Sequence, residues 1–186
     1  MMLKRFLVAL AIATTGCAST GVKKPYSAFD VAQRYQMIGP MLCCELEAPL
    51  IQGDSHKTYL PKLVDFANKL NIDVIFLDEP LFGNPHLWGI NLGPFILIRS
   101  SFPLNTQVAT LAHELGHSFQ PKNLNEVDAQ LFAETVSIVY CKRIGLEVWQ
   151  SSFTYFGQYN VKEHADFIRY HSKEIDAVVD KFLAGE

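Results

Sequence analysis

His113-Glu114-Leu115-Gly116-His117 is the stretch that decides how this chain of 186 residues is read. Two histidines four apart on a helix lie on one face, about one turn from each other, so both imidazoles reach the same point. Imidazole nitrogen is a ligand for zinc at roughly 2.0–2.1 Å, and the pattern H-E-x-x-H is the local signal for that use. Glu114 projects beside the same point. There it is placed to take a proton from a zinc-bound water, whose pKa the ion lowers to about 7.

The flanks favour a helix. Gln107 to Ala112 has good helix character, with apolar residues at Val108, Leu111, Ala112 and Leu115. Asn105-Thr106 fits a cap and Pro121 a stop. Gly116 costs roughly 1 kcal/mol of helix propensity against alanine, which makes sense if another element packs closely on that turn.

Working upstream, Phe95 to Ile98 reads as a strand, apolar throughout and therefore buried on both faces. Ile72 to Leu77 reads as another, with a short third strand over 88–91. A helix over 59–70 carries Leu60, Leu63, Val64, Ala67 and Leu70 as one stripe behind a Thr58 cap. A helix over 28–38, capped by Ser27, turns Phe29, Ala32, Tyr35 and Met37 inward; Met41 to Leu46 reads as either a short helix or a strand, and Pro49, Gly53 and Asp54 mark loop. Downstream, a helix runs from about Asn123 to Ile144 and stops at Gly145. Residues 149–159 are rich in aromatics, read as core, and a last helix spans 161–183.

The N-terminus reads as a targeting segment. Lys4 and Arg5 precede a short apolar run, Phe6 to Ala13, and then Thr14-Thr15-Gly16-Cys17. The apolar run is too short to span a bilayer. The segment resembles the lipobox of bacterial lipoprotein signal peptides, with Thr14 where leucine is usual; a plain secretory signal is the alternative. The resemblance implies a signal peptide over 1–16, lipidation at Cys17, a tether over 17–26 and one domain over 27–186. The protein is then exported and lipid-anchored to a bacterial membrane, facing the periplasm or the cell exterior. Cys43, Cys44 and Cys141 remain, either as buried small residues or with one bridge between Cys141 and the adjacent pair. A net charge of −3 and the lack of a Lys/Arg-rich run give no reason to expect nucleic acid as a partner.

A strand before the H-E-x-x-H helix and a helix after it is the order found in zincins. The resemblance implies an α+β fold: one compact domain, a small sheet packed on the motif helix, and a helical C-terminal half. It also implies that the strand at 95–99 lies over the cleft and pairs with an extended peptide. Asn125-Glu126-Val127-Asp128-Ala129 looks like the N-E-x-x-A run of gluzincins, with Gln130 where that family has an aspartate behind the ligands. Leu131 to Val136, continuing through Cys141 to Leu146, resembles the metallopeptidase domain of ArdC-like and ImmA-IrrE-like proteins. Together the similarity covers about 95–183.

Zinc needs a third protein ligand before a position is left for water. Glu134 is the favoured candidate and Glu126 the alternative; the carboxylate not used as ligand could orient a histidine. The function implied is zinc-dependent peptide hydrolysis, with His113, His117 and Glu134 as ligands and Glu114 as base. Tyr155, Tyr159, His164 and His171 are candidates for the oxyanion donor, and His56 and His86 have no assigned role. The competing expectation is a lipid-anchored binding or assembly protein that keeps a structural or inactive metal site.

Overall fold

The computed structural model describes residues 24–38, 49–149 and 161–185. Cys17, Cys43, Cys44, Tyr155 and Tyr159, the signal-peptide and lipidation readings, and most of the aromatic stretch lie outside the described residues.

The motif helix is the centre of the molecule. This helix, α3 (Leu104–His117), follows α1 (Ala28–Ile38) and α2 (Tyr59–Lys69) and is buried along almost its whole length. Such burial would strand the polar residues of its first turn, and each of them finds a partner instead. Thr106 exchanges two hydrogen bonds with the backbone of Ile51, at 2.9 and 3.0 Å. Asn105 accepts from the His56 N–H at 3.0 Å and donates to the Gln52 carbonyl at 2.7 Å. Gln107 donates to the carbonyls of Ser100 and Phe102. The Asn105-Thr106 pair therefore does not cap α3, as the sequence suggested. The helix starts at Leu104 behind Pro103, and the pair staples α3 to the preceding loop.

Three strands form the sheet: β1 (Asp73–Leu77), β2 (Gly89–Asn91) and β3 (Phe95–Arg99). Their order is β1-β3-β2, with β1 parallel and β2 antiparallel to β3. Ile96 and Ile98 point into the core, whereas Phe95 is exposed, so β3 buries one face and not both. The run is apolar, yet helices cover only one side of the sheet.

Behind α3 lies α4 (Glu126–Arg143), whose Asn125 cap accepts from the Asp128 N–H. It ends as its sequence implies. Gly145 takes φ +84°, and the Leu146 N–H reaches back to the Cys141 carbonyl at 2.8 Å. Leu131, Phe132, Val136, Ile138, Val139 and Tyr140 are all buried, so α4 is a second central helix. The expected last helix is two, α5 (Val161–Tyr170) and α6 (Ser172–Ala184), broken at His171, whose Nδ1 pairs with Glu174 at 2.7 Å. Arg143 at the end of α4 binds the Tyr26 carbonyl at 2.6 Å and Asp176 of α6 at 3.0 Å, and Asp176 also accepts from Ala28 of α1. Ala28, Val31 and Ala32 face the core; Phe29, expected inward, is exposed because Ser27 and Asp30 fix the first turn with Phe29 outward.

The result is an α+β domain with a small sheet against the motif helix and helices making up the C-terminal half. Among the described residues, no helix is long and apolar enough to cross a membrane.

Candidate metal centre

The close approach of α3 and α4 begins at Gly116. A Cβ on Gly116 would stand 2.9 Å from Ala133 Cα and 3.2 Å from its carbonyl oxygen, so only glycine admits α4 at this distance. Further along, Ser137 Oγ donates to the Ala109 carbonyl at 2.8 Å. This crossing lays Gln130 and Glu134, one turn apart on α4, beside the motif histidines.

The two histidines present their ε nitrogens to each other. His113 Nε2 and His117 Nε2 are 3.2 Å apart. Two nitrogens held tetrahedrally on one zinc stand about 3.3–3.4 Å apart, so the pair fits such an ion without rearrangement. The δ nitrogens face away and are occupied. His117 Nδ1 lies 3.0 Å from Gln120 Oε1, and His113 Nδ1 lies 2.8 Å from Glu134 Oε2. Both contacts hold a proton on Nδ1 and leave Nε2 free as a donor to metal, the role of acceptors behind a ligand histidine.

Glu134 therefore stands behind His113 and not at the point where the ε nitrogens converge. Glu126 is exposed in the first turn of α4, one turn before Gln130. Among the described residues, no group of three His, Cys, Asp or Glu is placed to hold one ion. Gln130, one turn before Glu134 on α4, lies near both His113 and His117.

Glu114 is buried beside the histidines. Burial pushes its carboxyl up from the usual range; the His113 charge and a hydrogen bond from the Asn91 backbone pull the other way without cancelling it. His113 is shifted down by burial, but the Glu134 hydrogen bond and the Glu114 and Glu134 charges more than reverse this, and its pKa is raised. His117 is lowered, by burial and by His113.

Two residues of β2 complete the setting, and sequence reasoning missed both. Asn91 Nδ2 donates to the Glu114 carbonyl at 2.7 Å and lies 2.8 Å from Ser118 Oγ. Gly89 leaves the room that Glu114 occupies, since a Cβ there would lie 2.6 Å from Thr110 Cγ2 and 3.0 Å from Glu114 Cγ.

The strand over the cleft is β2, and the expectation for 95–99 is corrected. β3 is central, paired on both sides. Bonds from Leu92 N–H to Phe95 and from Arg99 N–H to Trp88 turn Trp88, Ile90 and Leu92 toward β3. The backbone groups of Gly89 and Asn91 thus point to the outer edge, toward Glu114.

His164 is buried on α5, with burial lowering its pKa against the nearby charges of Asp128 and Glu163. His171 packs among Phe132, Phe167 and Tyr170. His56 stacks on Tyr59 and His86 is exposed on the loop before β2. Cys141 is a free, buried thiol.

Residues 67–139, from the end of α2 through most of α4, match the model of a peptidase family described as the IrrE N-terminal-like domain. No curated protein and no solved structure matches the chain significantly. The matched segment carries the sheet, the motif helix and the helix behind it, which is every element that builds the site.

Proposed function

We propose that this chain is a zinc-dependent peptidase in which His113 and His117 hold the ion and Glu114 is the general base. The observation that carries the reading is the convergence of the two ε nitrogens at 3.2 Å with Glu114 buried beside them. When bound, zinc supplies a Lewis acid that polarises a carbonyl and brings the pKa of water to about 7.

The remaining work belongs to side chains. The δ nitrogens of His113 and His117 keep their protons against Glu134 and Gln120, which fixes both rings. A buried carboxylate with a raised pKa is a stronger base than one in water. Glu114 accordingly takes the proton of the attacking water on a carboxylate oxygen and returns it to the leaving amine. Asn91 holds the turn that carries Glu114. The outer edge of β2 offers backbone groups at Gly89 and Asn91 to an extended peptide, and the substrate is a peptide or protein segment bound as an added strand. The N-terminal lipobox-like segment supports placing this peptidase on a bacterial membrane, facing outward from the cytoplasm, with Cys17 as its lipid anchor.

Replacing Glu114 by glutamine tests the reading. Peptide cleavage is expected to fall by at least about 100-fold while stoichiometric zinc remains. Retained cleavage removes Glu114 as base. Retained zinc with no cleavage by the wild type on a broad peptide library favours a binding or assembly role instead.

A further inference from the structure

The sheet has two edges, and only β2 borders the proposed metal site. The other edge is β1, at the far side of the β1-β3-β2 order. We propose that β1 docks an extended, apolar protein segment bracketed by lysine or arginine, which joins the sheet as a fourth strand. This goes beyond the peptidase reading and does not depend on the metal site.

The backbone comes first. The Asp73 N–H donates to the Pro94 carbonyl, and the Leu77 carbonyl accepts from the Ser100 N–H, both at 2.9 Å. Asp73, Ile75 and Leu77 therefore turn their backbone groups toward β3, and Val74 and Phe76 turn theirs outward. Among the described residues, nothing takes up these outward N–H and C=O groups. Proteins usually blunt such an edge with lysine, proline, a bulge or a covering element. Strand β1 has no lysine or proline, and its register with β3 runs without a bulge. Ile75, Phe76 and Leu77 are 39%, 38% and 39% exposed. Ile75 and Leu77 share the open face of the sheet with Phe95 and Leu97. Phe76 lies on the face that α2 packs against, and its exposure means that α2 stops short of the edge.

Charge chooses the occupant. Asp73 stands at one end of the edge and Asp78 and Glu79 at the other, all exposed. Asp78 accepts from the Ser100 hydroxyl, and among the described residues none of the three acids is in an ion pair. The cations nearest in the fold are engaged elsewhere. Lys69 donates to the Gly185 carbonyl, and Arg99, one strand in from the edge, donates to the Pro85 carbonyl and the Ser101 hydroxyl. A second copy paired antiparallel about Ile75 would set Asp73 beside Asp78 of the other copy at both ends, like charge against like. A strand with cations about five residues apart meets Asp73 and Asp78 instead. Its apolar residues then lie against Ile75 and Leu77 on one face and Phe76 on the other, while its backbone pairs with Val74 and Phe76.

The test uses the full-length chain in EDTA, so that no metal-dependent cleavage consumes the probe. The probes are the labelled peptide Lys-Val-Thr-Val-Ile-Lys and its counterpart with glutamine in place of both lysines, read by fluorescence anisotropy. The lysine peptide is expected to bind about 2–30-fold tighter than the glutamine peptide, the range for two opposite-charge pairs across strands. Asp73→Asn with Asp78→Asn is expected to abolish that preference; both positions are exposed, so the fold is expected to hold. Phe76→Pro removes an outward N–H, which an edge strand tolerates, and is expected to abolish binding of both peptides. Far-UV circular dichroism checks its fold, and the asparagine variant decides alone if the proline variant does not fold. The proposal is overturned by a preference that survives the asparagine pair, by binding that survives in a folded Phe76→Pro, or by no binding to the wild type up to about 1 mM. A wild type that sediments as a dimer, and as a monomer with Phe76→Pro, puts a second copy on the edge and overturns it as well.

Discussion

Asn91 and Glu114 hold each other twice: the Asn91 side chain donates to the Glu114 carbonyl at 2.7 Å, and the Asn91 backbone N–H binds the Glu114 carboxylate. An edge strand is thereby fastened to the proposed base at both its backbone and its side chain. Removing the side chain should misplace Glu114 without touching the ligands. Asn91→Ala is expected to lower kcat by about 2–13-fold, the worth of one ordinary hydrogen bond of 0.5–1.5 kcal/mol, with zinc content unchanged. Asn91→Asp cannot donate to the carbonyl and should be no better. Steady-state kinetics on any peptide the wild type cleaves, with metal analysis alongside, check this. A loss of zinc with Asn91→Ala would show that β2 holds the ligands and not the base.

Gly116 is the contact point of the two central helices. Gly116→Ala would gain up to about 1 kcal/mol of helix propensity but place a Cβ 2.9 Å from Ala133 Cα, which is backbone and cannot turn aside. The steric term should win, because overpacking a close contact costs about 1–3 kcal/mol. The expected outcome is a net loss in urea unfolding and weaker zinc binding, since pushing α4 away moves Gln130 and Glu134 from the histidines. An equally stable variant with wild-type zinc affinity would mean that the helices adjust without cost.

The motif and Gly116 were legible because their signals are local: a spacing of four on a helix, and a small residue where bulk was barred. Element types were legible for the same reason, from Ala28–Ile38 through the Gly145 stop. What failed was non-local. Whether 95–99 is an edge or a central strand depends on the sheet order, which no single segment encodes. The role of Glu134 depends on the crossing of two helices and on which nitrogen of His113 it meets. Asn91 and Gly89 gave only the signal of a short strand, although both touch Glu114. The break at His171 carries no glycine or proline to announce it.

Tyr26 provides a pH test of the packing between the first helix and the end of α4. Its hydroxyl is buried without a hydrogen-bond partner, and burial, partly offset by Arg34, pushes its pKa up to about 12. The folded state therefore binds this proton more tightly than the unfolded chain does, where tyrosine titrates near 10. The contribution is full below pH 10 and is lost as pH rises from 10 through 12. Tyr26→Phe should be neutral to slightly stabilising at pH 7, because it removes an unsatisfied group. It should also flatten part of the decline above pH 10, with buried Tyr140 supplying some of the rest. Unfolding midpoints in urea at pH 8, 10 and 11 measure this, and an unchanged slope in Tyr26→Phe would remove Tyr26 from the account.

Cys141 lies fully buried on α4, and burial drives its thiol well above the usual range, with only the neighbouring Ser137 hydroxyl acting against this. The thiolate is the reactive form, so the native side chain lacks both the charge and the access that alkylation needs. At pH 8 iodoacetamide is expected to label Cys141 slower by a factor on the order of 10² in the folded chain than in urea, read on the isolated peptide by mass spectrometry. The same experiment settles the bridge that the cysteine count left open. Labelling in urea without reductant is expected to be complete, because the thiol is free. Labelling that waits for reductant would show Cys141 tied to another cysteine and would make α4 a cross-linked element, held by a covalent bond as well as by its packing.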